Sequence, residues 1–129
     1  MRTLTDHIVP GDSVNHQVTI SVTDEPGSGG ANHVYSVEWD TPKGDGNCGQ
    51  IGQLLVQFQN GPIKEFGVNG VTQEALLAII IDRLRSFQKG PFSCEANATA
   101  LECCGQALYA LQERTRARIA RGVEGTHKV

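Results

Sequence analysis

A chain of 129 residues with 39% hydrophobic and 19% charged side chains has the size and balance of one globular domain with a modest core, and no apolar run reaches membrane-spanning length. The net charge of −3 argues against a general nucleic-acid coat. That charge is uneven: residues 1–113 hold 6 basic and 13 acidic side chains, residues 114–129 hold 5 and 1, an asymmetry that suits a small anionic ligand better than a long duplex.

The first twelve residues, MRTLTDHIVPGD, lack the hydrophobic stretch of a signal peptide, so a soluble cytoplasmic protein is expected. Residues 1–15 read as an irregular arm. From 17 to 23, QVTISVT alternates and is rich in β-branched residues, the pattern of a half-buried strand. EPGSGGAN is a turn or loop. HVYSVEW repeats the strand pattern over 33–39, with Tyr35, Val37 and Trp39 on the face expected to be buried. TPKGDGNCGQ is a second glycine-rich connection, and QLLVQFQ over 53–59 is a third strand with Leu54, Val56 and Phe58 on one side. A small antiparallel sheet results.

Two loop chemistries fail at the glycines. Gly44, Gly46, Gly49 and Gly52 precede a strand instead of opening a helix, and no GK[ST] follows, so a phosphate loop is not indicated. Asp45-Gly46-Asn47 lacks the remaining ligands of a calcium loop. The cysteines Cys48, Cys94, Cys103 and Cys104 show no CxxC spacing and read as reduced, small core residues. His7, His16, His33 and His127 are scattered, so no metal or cofactor is expected.

NGPIKEFGVNG forms a turn-rich joint, after which Thr72 caps a helix with Glu74 in its first turn. Leu76, Leu77, Ile80, Ile81, Leu84 and Phe87 give that helix a wide apolar face to about Lys89, where Gly90-Pro91 stops it. Ser93 is the expected N-cap of a second, longer helix running to Arg121, and the short connection folds the two back as an antiparallel hairpin. Along the second helix Ala98, Leu101, Leu108, Leu111 and Thr115 recur at three- and four-residue steps, with Cys94, Cys104 and Gly105 between them. Gly105 costs about 1 kcal/mol of helix propensity, which a close backbone approach would offset. The longer helix overhangs the shorter by about a dozen residues, which calls for the β-region or a second subunit as cover. Arg114, Arg118 and Arg121 share one face at i, i+4 and i+7, three planar donors able to hold phosphates, with Arg116 turned away. The reading is therefore an α+β chain: a β-rich region over 1–60, a joint over 61–71 and a helical hairpin with a basic end over 72–129.

The stretches EALLAIIIDRL, FQKGPF and RGVEGTHKV, within a hairpin spanning roughly residues 60–129, resemble the hairpin domain shared by phage signal-sponge proteins that counter the Thoeris and CBASS bacterial defences. The β-rich front half followed by that hairpin resembles the first anti-Thoeris sponge family. The resemblance implies a non-enzymatic viral protein acting in the host cytoplasm. It would bind cyclic ADP-ribose isomers, in some members also cyclic di- and trinucleotides, and assemble as a homodimer or as a hexamer made of dimers, with no membrane or nucleic-acid partner. The family's site, an aromatic and an amide near the hairpin tip and two late arginines, falls on Phe87, Asn97, Arg114 and Arg118. Arg121, Thr126 and His127 would serve a second nucleotide site in higher assemblies. Asn97 and Arg118 lie about 31 Å apart on one helix, so a shared pocket requires two hairpins placed antiparallel.

By the residues alone the same positions have plainer readings. Phe87 fits a helix core, Asn97 a solvated first turn, and the arginines an exposed face pairing with Glu113 and Glu124 or complementing the helix dipole. Thr126 and His127 read as a disordered tail. A phage DNA-binding regulator and a ligand-free oligomeric scaffold remain as alternatives. The sequence shows no general base beside a nucleophile or metal, so no catalytic residue is assigned.

Overall fold

The computed structural model describes residues 1–42 and 48–129. They form two compact units, Met1–Gly61 and Pro62–Val129. The first is a four-stranded antiparallel sheet in sequential order: β1 (Arg2–Leu4), β2 (Val18–Val22), β3 (Val34–Pro42) and β4 (Cys48–Gln57). The second is helical: α1 (Ile63–Phe66), α2 (Gln73–Lys89) and α3 (Glu95–Ala120). The α+β reading of the sequence holds.

The expected irregular arm contains a strand. Arg2 pairs with Val22 and Leu4 with Ile20, a three-residue edge too short to register as an alternation. The rest of the arm is held by side chains. His7 Nε2 lies 2.7 Å from the Val18 carbonyl, and the Asp12 carboxylate accepts from the Val14 and Asn15 N–H groups at 2.9 and 3.0 Å. The Asn15 side-chain amide, with those backbone donors, holds the Asp12 carboxyl below its usual range. The glycine-rich connection is also shorter than expected, because β3 runs to Pro42 and β4 starts at Cys48; the residues between them, with the phosphate- and calcium-loop readings placed there, lie outside the described region.

Register puts Val22, Tyr35 and Val56 in one row and Ile20, Val37 and Leu54 in the next, all on one face. Val22 is the best-covered of these, and Tyr35 meets Phe58 edge to face at 5.7 Å. The expectation that Trp39 is buried with Tyr35 and Val37 needs correction. Trp39 is 40% exposed. Its indole instead lies across its register partner Gly52, where an added Cβ would sit 2.0 Å from the ring. Gly52 is the slot in which the ring rests.

In the second unit, α2 starts as read: the Thr72 hydroxyl accepts from the Ala75 N–H at 3.1 Å, a contact worth about 1 kcal/mol. α3 starts one residue later than read. Ser93 gives its N–H to the Gly90 carbonyl in closing the turn, so Cys94 becomes the N-cap, its sulfur accepting from the Asn97 N–H at 3.4 Å. Ile81 is buried, and Leu101, Cys104, Leu108, Leu111 and Thr115 are half-buried along α3. Ala98 and Gly105 are exposed, and a Cβ on Gly105 would meet nothing within 4 Å. The close approach expected at Gly105 is thus not made among the described residues.

The overhang of α3 is covered by a part of the chain that the sequence reading took for joint and tail. The helix stops at a Schellman turn: Gly122 adopts φ 73° and donates to the Ile119 carbonyl, while Val123 donates to the Arg118 carbonyl at 3.0 Å. Val123 is buried beneath that turn. Beyond it, the Gly125 carbonyl accepts from the Lys64 N–H at 3.1 Å, tying the tail to α1.

Candidate functional site

Two clusters hold all the residues singled out from the sequence. At the hairpin tip, α2 carries Phe87 into the turn and α3 begins with Asn97. Phe87 is half-buried and meets Phe92 edge to face at 6.3 Å, and the Arg83 guanidinium lies 4.7 Å from the Phe87 centroid. The tip therefore presents an aromatic ring already facing a cation, an arrangement worth about 0.5–1 kcal/mol where exposed. Asn97 donates from Nδ2 to the Phe92 carbonyl at 3.3 Å, and Gln88 Oε1 accepts the Cys94 N–H at 3.1 Å. These bonds tie the turn together, and an amide of this kind still carries an acceptor oxygen. Phe92, 70% exposed, and Arg83 were not read as part of this cluster. The i, i+4 spacing of Arg83 and Phe87 was the signal for the latter.

At the opposite end, the arginines separate into different roles. Arg114 is exposed, and Arg121, the C-cap residue, is exposed as well. Arg116 pairs with Glu113 on the solvent side, both half exposed. Arg118 is buried. Its Nη2 donates to the Val123 and Thr126 carbonyls at 3.0 and 2.9 Å, its Nη1 to the Lys128 carbonyl at 2.5 Å, and its Nε lies 3.4 Å from the Glu124 carboxylate. Three of the five guanidinium N–H donors are hydrogen-bonded and the one on Nε faces the Glu124 carboxylate, leaving one on Nη1. Three carbonyls and a carboxylate around one buried charge make Arg118 the post on which the tail is wound.

Thr126 and His127 are part of that winding. The Thr126 hydroxyl donates to the Val123 carbonyl and receives the Lys128 N–H, while His127 Nδ1 lies 2.9 Å from Glu65 of α1. The structure thus brings Arg118 and Thr126 together through the threonine's carbonyl, and His127 to Glu65. Phe87 and Asn97 meet through Phe92. It does not bring the two clusters to each other: 21 residues of α3 separate Asn97 from Arg118, about 31 Å. A hollow of about 270 Å³ beside Arg2, Asp24 and Asn32 in the sheet unit contains none of these residues. Among the described residues no group of three or more His, Cys, Asp or Glu is placed to hold a metal, and no helix is long and apolar enough to cross a membrane.

Residues 51–116 match the family described as Acb2/Tad1, hairpin domain. The matched span takes in Phe87, Asn97 and Arg114 and stops two residues before Arg118. A curated relative, "Thoeris anti-defense 1" of Bacillus phage SBSphiJ7, is 49% identical over 73 residues, 57% of this chain and 51% of that protein. The alignment spans about half the length of that relative.

Proposed function

This chain belongs to the Acb2/Tad1 hairpin-domain family, and from that premise we propose that it is a phage anti-Thoeris sponge. It binds cyclic ADP-ribose-type signals in the cytoplasm of the infected host, and in larger assemblies cyclic di- or trinucleotides of CBASS defence, without chemically altering them. The pocket is composite. Phe87 and Asn97 of one copy face Arg114 and Arg118 of a second, antiparallel copy, so a two-fold pair has two equivalent sites. Phe87 stacks on the adenine in place of the Arg83 guanidinium, Asn97 supplies amide hydrogen bonds, and Arg114 makes the main pyrophosphate contact. Arg118 adds its one remaining Nη1 donor and, by holding the tail, shapes the wall where Arg121, Thr126 and His127 would meet a second nucleotide.

The observation that carries this reading is the placement of an aromatic–amide cluster and a cationic cluster at opposite ends of one helix. A second observation supports the need for another copy. Ile79, Phe92, Tyr109 and Ile119 are each at least 60% exposed on the helices and the turn between them.

Subunit complementation tests the reading. Phe87→Ala and Arg114→Ala should each abolish depletion of a cyclic ADP-ribose isomer from solution. Mixed, unfolded and refolded together, the two variants should recover about a quarter of the wild-type capacity, because half of the pairs are mixed and each mixed pair holds one intact site. No recovery would place the pocket within a single chain. Ligand released by heat should return intact, whereas linear ADP-ribose would indicate an enzyme.

A further inference from the structure

Near the hairpin tip, Arg83 places a cation over a ring and bonds to nothing else. Its guanidinium lies 4.7 Å from the Phe87 centroid, and among the described residues it makes no ion pair and no hydrogen bond. The sequence explains why. The positions that share its helix face, Ile79, Ile80, Ser86 and Phe87, include no carboxylate, and residues 83–94 hold Arg83, Arg85 and Lys89 with no Asp or Glu. A planar fork of N–H donors is thus spent on one aromatic face.

The two neighbours of the Phe87 ring are held with different firmness. Phe92 meets it edge to face at 6.3 Å, and the Phe92 carbonyl accepts from the Asn97 side chain at 3.3 Å, so its backbone is fixed in the turn. Arg83 is exposed, and only the ring holds its guanidinium. A base that stacks on Phe87 therefore takes the place of the guanidinium and leaves Phe92 where it is. The displaced group stays close, because four residues of helix separate the two Cα atoms by about 6 Å of rise. Its charge then lies beside the ligand with its donors unspent. A nucleotide carries its phosphate one sugar away from its base, within the same neighbourhood.

We propose that Arg83 is a further ligand-binding residue, which covers Phe87 in the free protein and, in the complex, holds the phosphate of the nucleotide whose base has replaced it on the ring. The proposal rests on the sponge reading above and adds a specificity to it. A nucleotide gives the displaced cation charge-assisted, bidentate bonds in exchange for the cation–π contact. A nucleoside removes the same contact and returns nothing. The tip of one chain thereby selects phosphorylated purines over their nucleosides, independently of Arg114 from the second copy.

Calorimetric titration of the full chain tests this with two probes, a cyclic ADP-ribose isomer and adenosine. Arg83→Gln should raise the Kd of the isomer by about tenfold or more and flatten its dependence on salt, while adenosine binds as tightly as to wild type or more tightly. Arg85→Gln removes the same charge about 200° around the helix and should stay within about twofold of wild type for both probes. An unchanged Kd for the isomer in Arg83→Gln would overturn the proposal. An equal loss for both probes would overturn it too, since Arg83 would then only support the ring, and so would an equal loss in Arg85→Gln, which would assign the effect to general charge. Both arginines are exposed, and an unchanged melting temperature verifies folding. Failure of the sponge reading looks different: wild type takes up no isomer, or Phe87→Ala still depletes it, and this proposal falls with it. Failure of the present proposal alone leaves wild-type uptake and the Phe87→Ala loss in place with Arg83→Gln silent.

Discussion

Arg118 donates from Nη2 to the carbonyl of Thr126 at 2.9 Å, and the same nitrogen holds Val123. A helix side chain thereby organises the ten residues that follow it, up to Lys128 and including the segment that meets α1. Removing the guanidinium leaves carbonyls unpaired in a covered site, at a cost of about 2–4 kcal/mol. Arg118→Ala should lower the melting temperature and speed amide exchange over residues 123–128. Arg118→Lys should not restore it, because a compact ammonium cannot span three carbonyls and a carboxylate. Arg114→Ala should leave the melting temperature unchanged while removing ligand binding, which separates the two arginines in one calorimetric series.

Gly52→Ala drives a methyl into the Trp39 ring, which must leave its resting place or push β4 away from β3. A loss of about 1–3 kcal/mol is expected from such overpacking. Thermal unfolding of the sheet unit measures it, and an unchanged midpoint would mean that the ring swings aside freely.

Gly105→Ala has the opposite sign. The added methyl meets nothing among the described residues, so the helix gains about 1 kcal/mol of propensity. The melting temperature should rise. A fall, with weakened assembly in light scattering, would locate the backbone of a second copy against that position.

Cys94→Asp replaces a weak sulfur acceptor at the N-cap of α3 with a carboxylate facing the free N–H groups and the helix dipole. Stabilisation of roughly 0.5–1 kcal/mol is expected at neutral pH. Ser93→Ala should be nearly silent by the same measurement, since its side chain caps nothing.

Burial opposes ionisation of Asp24, but the N–H groups of His33 and Val34 and the Asn32 side chain outweigh it, holding the carboxyl below its usual range. A lowered folded-state pKa contributes stability that is present above the unfolded value and is lost as the pH falls through the folded one. Asp24→Asn should therefore be less stable than wild type at neutral pH. The two should converge in acid once the wild-type carboxyl is protonated, as acid unfolding followed by calorimetry would record.

The parts of the fold that were legible in the sequence are those with local causes. α2 runs over the expected residues because Thr72, the apolar face and Gly90-Pro91 act within a few positions of one another. β2 and the centres of β3 and β4 follow from alternation. β1 was hidden because three residues carry no period, and its strand state is conferred by β2. The cap at Cys94 was displaced by a turn that uses the Ser93 N–H. Of the candidate site residues, the positions of Phe87 late in α2 and Asn97 early in α3 were legible, but the burial of Arg118 was not. Its partners are mostly backbone carbonyls, which any sequence supplies, brought into reach by the left-handed bend at Gly122.

The ring resting on Gly52 also gives the molecule a built-in optical label. Trp39 is the chain's single tryptophan and belongs to the sheet unit, so intrinsic emission follows that unit alone, while the 222 nm signal is dominated by the two long helices. Melting the protein while recording both colours would show whether the halves let go together or in turn.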